Sequence, residues 1–528
     1  MTMTLQTDGL DRRTLLRSTG GLLLASGIGS FPLWAAPLGA NPFMLGVASG
    51  DPWPDGFVIW TRLAPRPLDE HGGMPTAAVP VRWEVSEDER FSRVVRKGEA
   101  IARPELAHAV HVEVDGLLPH RTYWYRFSIA GTDVSPVGRA RTAPAPGDLP
   151  DRVRIGVAGC QHYETGYFDA WRHLSAEPDL DLIFHYGDYI YEGGGRSLGE
   201  PSPGAAKVVR QHVGGEIYSL DDYRRRYALY KCDPQLQAAH AACAFAASFD
   251  DHEVDNNWAG VIDQDGTDPG LFMLRRAAAF QAWYEHMPVR RAQLPTLSGV
   301  TAYRRLDYGR LLRVHVLDTR SHRSDQPCND GKIKACPPEA HVSSTLLGAV
   351  QEQWLDEGLG HGRAWNLLAQ QILVMPYDRS GPNAPAPDFA FDDWDGYRPA
   401  RARLVESIRR HDLSNVVIAS GDYHRHFVGT VPERDDALDG RMAAIEFLAT
   451  SISSNGNGRP IPDVDYQLSN NPHLKLITDQ RGYQLFDITP KLWRTDVKVV
   501  DQVERSGGKL SMLASFVATP DRVAVERA

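Results

Sequence analysis

Five short loops in this sequence carry side chains that could do chemistry together: GCQHYE (159–164), GDYIYEGG (187–194), DDHEVDNNW (250–258), LDTRSHR (317–323) and GDYHRHF (421–427). Asp188 and Tyr191 stand three residues apart on a tight loop. A carboxylate can bridge two metal ions, and a tyrosinate is a hard ligand that suits a ferric ion. Asp422 and His424, at i and i+2, can point the same way from an extended segment. Asp251 and His252 set a carboxylate beside an imidazole. Asn256 and Asn257 add amide oxygens of the kind that suit calcium. Cys160 offers a thiolate at the end of an apolar run.

Each loop has a plainer reading when taken alone. Gly-Asp turns are common, and acidic residues after strands often cap helices. A single buried cysteine is usually an inert thiol. His162, His185 and His315 read most simply as structural or surface residues, and His240 and His286 as residues on helix faces. The joint pattern changes this reading, because four separate strand ends deliver metal-type ligands within one region.

The elements that must position these loops follow from periodicity. Segments 57–63, 81–86, 108–114 and 122–129 alternate apolar and polar residues and end at Gly, Pro or Asp, so they read as strands of a small β-sandwich. The stretch 142–151 is Pro-rich and polar and reads as a linker. Beyond it, RIGVAGC (154–160), a helix-like YFDAWRHLSAE and LDLIFHYGD (180–188) give strand–helix–strand grammar, hence a parallel or mixed sheet covered by helices. Segments 218–250 and 270–286 read as helical. Segments 310–319, 365–375, 413–422 and 443–451 read as strands. In such sheets, sites form in loops beyond the carboxyl ends of the strands, where the five loops fall.

Composition narrows the class. Hydrophobic residues make up 42% and charged residues 23% of the 528-residue chain, the balance of an ordinary globular protein. The net charge of −10 argues against a stable complex with nucleic acid, which wants clustered positive charge. Five cysteines are too few for a disulfide scaffold. Cys328 and Cys336 bracket a short loop and read either as a local disulfide or as two thiols. At the N-terminus, Arg12-Arg13 precedes a broken apolar run, GGLLLASGIGSFPLWAA. This resembles a twin-arginine export signal over residues 1–36, with cleavage near Ala35 or Ala36. The export machinery is then a partner, and the expected location is periplasmic or extracellular. No segment of the mature chain has the apolar length of a transmembrane helix.

In this order, the loops resemble the PhoD-like alkaline phosphatase family of calcineurin-like metallophosphoesterases. The likeness also covers PFMLGVASGDPWPDGFVIWTRLAP (42–65), EHMPVR (285–290) and EFLATSISSNG (446–456). It implies an α/β fold in two units, a fibronectin-like β-sandwich over 42–141 and a four-layer α/β/β/α catalytic unit over 152–528. It also implies a ferric ion (Fe3+) with calcium (Ca2+). Cys160, Asp188 and Tyr191 would hold the iron, and Asp188 would bridge to calcium. Asp422 and His424 would complete the centre, with Asp251, Asn256 or Asn257 on the calcium side. GDYIY also matches an element of purple acid phosphatases, but Cys160 in the first loop favours the PhoD-like family. Two departures stand out: the LDTR loop continues Ser321-His322-Arg323, and a usual Gly-Asn-Gln is Ala369-Gln370-Gln371.

The expected reaction is hydrolysis of a small phosphate monoester or diester by a metal-activated oxygen nucleophile. His252 is a candidate general acid or phosphate contact. Arg320, with Arg323 and Arg196, is a candidate to stabilise developing charge. The alternatives are a phosphodiesterase or phospholipase D type activity and, from another class, a non-catalytic secreted binding protein on a degenerate enzyme unit. That last reading requires broken ligands.

Overall fold

The computed structural model describes residues 41–129, 133–202, 206–296, 298–330 and 336–528. The twin-arginine segment expected over 1–36 lies outside the described residues. Among the described residues, no helix is long and apolar enough to cross a membrane.

Two sheets stack face to face. The larger has ten strands, and its centre is a parallel set made of Val153–Ala158, Leu182–His185, Ala244–Ala247 and Val47–Trp53. The smaller has seven strands, with a parallel core of Leu312–Val316, Trp365–Ala369, Val416–Ser420 and Met442–Leu448. Strand alternation explains how both faces are buried. In Trp365–Ala369, Trp365, Leu367 and Ala369 face the other sheet, meeting Ile155, Val157 and Phe184. Leu368, between them, faces outward onto Leu404 and Ile408 of the helix Arg398–Arg410. The outer face of the ten-stranded sheet is covered by Asp169–Ser175, Leu220–Lys231, Pro234–Ala242 and Pro269–His286, through Trp171, Tyr227, Leu236 and Trp283. The result is the expected four-layer α/β/β/α arrangement.

The helices begin where side-chain chemistry allows. Ser219 and Asp222 form a reciprocal capping box. Asp233 and Asp268 each cap a helix whose first residue is proline.

The reading of 218–250 as helical needs correcting at its end. Ala244–Ala247 is a strand in the middle of the large sheet, paired in parallel on both sides. Four fully buried residues of Ala and Phe carry no alternation, so periodicity cannot separate them from the helix before them. Three long antiparallel strands, Gly482–Ile488, Trp493–Val500 and Leu510–Ala518, extend the same sheet beyond the segments read from sequence.

The N-terminal strands form a sandwich whose two sheets have different standing. Val79–Ser86, Val94–Ala102 and Thr122–Ile129 belong to a separate five-stranded sheet. It packs over Val47–Trp53, Gly56–Arg62 and Ala109–Val114, which are the end of the ten-stranded sheet. Phe57, Ile59, Val81, Val85, Tyr125 and Phe127 fill the space between them. Hydrogen bonding therefore runs across the linker, through Ser49↔Ala244 and Gly50↔Phe245. Of the two readings of Cys328 and Cys336, the disulfide is the one formed.

Candidate metal centre

Three glycines admit the principal ligand loops. Gly159, Gly187 and Gly421 directly precede Cys160, Asp188 and Asp422, and one ring, Tyr186, lies against two of them. A Cβ on Gly159 would meet that ring at 2.4 Å, and one on Gly421 at 2.1 Å. Gly187 has φ +133°, and a Cβ there would meet the Asp250 Cβ at 2.4 Å. Only glycine lets the loops approach this closely. The ring is fixed at its far end, where the Tyr186 hydroxyl donates to the Thr450 carbonyl at 2.5 Å. Backbone bonds join the loops: Cys160 N–H to Gly187 O at 3.0 Å, Gln161 N–H to Asp188 O at 3.0 Å and Gly421 N–H to Gln371 O at 2.7 Å.

The ligand candidates themselves sit in left-handed backbone. Cys160, Asp188, Asp422 and His424 have φ of 50°, 55°, 64° and 58°. Such conformations in non-glycine residues cost on the order of 1–3 kcal/mol each and persist where the surroundings over-determine them.

The side chains gather into three overlapping groups, each with ligand atoms within 4.8 Å of one another. They are Cys160–Asp188–His424, Asp188–Asp251–His252 and Asp250–Asp251–Asp422. Asp188 belongs to the first two groups and Asp251 to the last two. Tyr191 joins the first, its hydroxyl donating to Asp188 Oδ2 at 2.7 Å and lying 3.2 Å from His424 Nε2. Asp188 Oδ1 is buried without a hydrogen-bond partner. A thiol, a phenol, a carboxylate and an imidazole on one side suit a ferric ion, and a carboxylate set on the other suits a hard divalent ion. The residues present could therefore hold two cations side by side, and their donor chemistry fits the pair that the family resemblance implies.

Electrostatics points the same way. Burial pushes Asp188 up to about 7 and Asp250 up to about 8, with neighbouring carboxylates adding to both. Burial, then Asp250 and Asp251, raise Asp422 well above the ordinary carboxylate range. Burial, Asp188 and Asp422 likewise raise the Cys160 thiol. Burial holds His424 down at about 3, so its imidazole is neutral, the form that binds metal. Asp251 is the exception. Burial acts upward on it, but His252 and Arg320 together hold it below the ordinary range. The buried carboxylates outnumber the one guanidinium and one imidazolium among them, and bound cations would answer the charge they carry when ionised.

A further ring of residues holds these groups in place. Glu253 accepts backbone N–H bonds from Asp188, Tyr189 and Asp250 at 3.1, 2.6 and 2.8 Å, which ties two loops together. Ser454 Oγ lies 2.6 Å from the Tyr191 hydroxyl and donates to Cys160 O at 2.8 Å. Asn455 reaches His424 Nδ1 at 3.0 Å, which leaves Nε2 turned to the cluster. His252 Nδ1 is held by Glu192 at 2.7 Å. The Tyr191 ring lies between two imidazoles, His162 at 4.4 Å and His252 at 4.1 Å between centroids.

Sequence-derived candidates fall into different places. Cys160, Asp188, Tyr191, Asp251, His252, Asp422 and His424 are all brought together. Asp250 joins them; it was not among the sequence-derived candidates, since nothing in its own neighbourhood distinguishes it from Asp251. Asn256 turns its amide nitrogen to Gln264 at 2.8 Å, and Asn257 gives its own to Asp330 at 3.0 Å. Arg320 is fully buried rather than open to a substrate. Its Nε pairs with Asp250 and its Nη1 with Asp392 at 2.7 Å, while Nη2 lies 3.9 Å from Asp251 and 4.0 Å from Asp422. It acts as the counter-charge that positions the carboxylates. Arg323 is buried on Asp392, and Arg196 is exposed. Ala369 and Gln370, the two departures from Gly-Asn-Gln, are buried beside Gln371, which bonds Thr319, Ser248 and Leu317, so the change faces the protein interior. The EHMPVR segment lies away from the metal groups: Glu285 pairs with Arg224, and Trp60 donates to the Glu285 carbonyl.

Comparison with known proteins agrees with this architecture. The PhoD-like phosphatase family matches residues 155–497, and the PhoD-like phosphatase N-terminal domain matches residues 30–144. Alkaline phosphatase D of Bacillus subtilis (strain 168) is 44% identical over 534 residues, covering 99% of this chain and 90% of the relative. A solved structure described as "Structure of PhoD" superposes with a TM-score of 0.88 at 44% identity, covering 94% of this chain and 93% of that one. With both of its parts matched in order and a relative aligned over nearly its whole length, the chain belongs to the PhoD-like phosphatase family.

Proposed function

We propose that this protein is an exported, metal-dependent alkaline phosphatase that cleaves small phosphate esters at the centre described above, loaded with Fe3+ and Ca2+. Membership of the family makes it a phosphoric ester hydrolase. The observation that carries the finer reading is the chain of three ligand groups sharing Asp188 and Asp251, which makes room for two adjacent cations of different character. Cys160, Asp188, Tyr191 and His424 would hold the ferric ion, and Asp250, Asp251 and Asp422 the calcium side. When bound, the ions supply Lewis-acid charge for the phosphoryl oxygens and make an oxygen nucleophile available near neutral pH.

The protein's own residues do the rest. Arg320 keeps Asp250 in place and its charge balanced. Asn257 N–H and His252 N–H hold the Asp251 carboxylate at 2.9 and 2.8 Å, fixing its direction. His252, anchored by Glu192 and only partly buried, is the group at the cluster able to hand a proton to the leaving oxygen. The leader expected over 1–36 accords with a centre filled before export, and the units 42–141 and 152–528 would be joined through one shared ten-stranded sheet. The binding-protein alternative calls for broken ligands, and none of the candidate side chains is missing.

The test combines metal analysis, absorption and turnover. Purified protein should contain iron and calcium and show a visible charge-transfer band that Tyr191→Phe abolishes. Hydrolysis of p-nitrophenyl phosphate and bis(p-nitrophenyl) phosphate, side by side, ranks monoester against diester. Failure to cleave either after reconstitution with both metals would sink the proposal.

A further inference from the structure

Two cavities open beside the metal centre, separated by Tyr423 and Arg425, which line both. One, of about 460 Å³, is bordered by Asp422 and is acidic, with Asp388, Asp392 and Asp393 in its wall. The other, of about 370 Å³, opens beside His424 and has the opposite character. It is lined by Tyr423, His424, Arg425, Asn455, Arg459 and Asp479, with prolines around them.

In the second cavity the positive charge exceeds what the protein itself answers. Asp479 is its one carboxylate, and that carboxylate is already engaged. It pairs with the buried Arg481 through Oδ1, and through Oδ2 it accepts the Arg459 backbone N–H at 3.0 Å. Neither the Arg425 nor the Arg459 guanidinium has a carboxylate within 4.0 Å among the described residues. Arg425 lies over the Tyr423 ring, 5.8 Å from its centroid, a placement that fixes the side chain without neutralising it. By contrast, Arg379, in the acidic cavity, is paired with Asp388 at 2.8 Å. Arg459 is exposed and Arg425 half-buried where the two cavities meet, so two guanidiniums that form no ion pair are free to meet an anion from outside beside a metal ligand.

We propose that this cavity is a subsite for a second anionic group on the substrate, a phosphoryl or carboxylate remote from the ester being cleaved, gripped by Arg425 and Arg459. The inference rests on the phosphatase reading, which places the scissile phosphoryl group at the metal centre. It gives the enzyme a preference within its class, for esters whose leaving group carries its own negative charge over neutral ones. Asn455, which orients His424, lies in the same wall, so the subsite adjoins the reacting phosphoryl group.

The experiment is a matched pair of phosphonates binding to the metal-loaded, full-length protein, followed by calorimetry. Butylphosphonate and 4-phosphonobutyrate differ by a terminal carboxylate at the end of the same short spacer. The wild type should bind 4-phosphonobutyrate at least tenfold more tightly. Arg425→Gln/Arg459→Gln should reduce that ratio to near one, and Arg425→Lys/Arg459→Lys should keep part of it. Iron content and the thermal midpoint report whether each variant stays folded and loaded. Equal affinities in the wild type, or a ratio that survives the glutamine variant, would overturn the subsite while leaving the phosphatase reading intact. No binding of either phosphonate, together with no turnover, would overturn both.

Discussion

At the scale of single residues, the site depends on what is absent as much as on what is present. Gly421 exists so that Tyr186 can lie against it. Gly421→Ala forces a methyl group into a ring at 2.1 Å, and such overpacking costs roughly 1–3 kcal/mol. We expect lower iron content and a lower thermal midpoint. Tyr186→Phe keeps the ring and loses one hydrogen bond, about 1 kcal/mol, so it should retain its metal. Arg320 has the opposite role, since its presence balances charge. Arg320→Met leaves Asp250 and Asp392 buried without their cation, a loss of about 3–5 kcal/mol by denaturant titration. Adding Asp250→Asn should recover part of it. Asp188, Tyr191, Asp422 and His424 are legible in the sequence as candidates because each follows an apolar run at a glycine or sits within a few residues of one, whereas Cys160 is a candidate chiefly through the family resemblance, a lone buried cysteine being ordinarily inert. Glu253, Ser454, Asn455 and Asp392 are not legible there. They work by bonding loops tens to hundreds of residues away, and nothing in their own neighbourhoods marks that task. Arg320 was legible as a charge near the centre, but its burial was not, because burial depends on Asp250 and Asp392 arriving from two other segments.

At the scale of elements, strand ends were easier to read than strand membership. Long alternating segments such as Thr122–Ile129 announce themselves, whereas Ala244–Ala247 is too short to do so. That short strand is nevertheless the seam of the molecule. It has Leu182–His185 on one side and Val47–Trp53 on the other. Removing residues 41–141 would leave it as an unpaired hydrophobic edge, a template for further strand pairing. We expect that truncated protein to self-associate, read by size-exclusion chromatography with light scattering, even though every metal ligand is retained. The helix Pro269–His286 reinforces the seam, because its last turn receives Trp60 and stacks Tyr284 on His111 at 4.5 Å. The family-like EHMPVR segment is thereby explained as a docking surface for the N-terminal strands.

At the scale of the whole molecule, the centre is a store of repulsion that its cations release. In metal-free protein, burial raises Asp188, Asp250 and Asp422 above the ordinary carboxylate value of 3.8. At these sites the folded state then binds more protons than the unfolded state above that value, so their contribution to stability falls as pH rises from about 4 towards neutrality, against the opposite contribution of buried neutral histidines such as His185, His315 and His426, which metal does not change. The thermal midpoint of chelator-treated protein should therefore decline over this range relative to that of metal-loaded protein, whose carboxylates stay ionised on the cations. A decline of equal size in both would remove the carboxylates from the explanation.

The parallel pairing of Ser49 with Ala244 also sets an order of events during synthesis. The strand Val47–Trp53 emerges from the ribosome nearly two hundred residues before its neighbour Ala244–Ala247. Closing so long a loop is slow, and it cannot begin until both ends have been made. The amino-terminal strands thus have no finished sheet to join until the loops carrying Cys160 and Asp188 have been synthesised. Completion of the front of the protein becomes a report that the first half of the metal centre has been made.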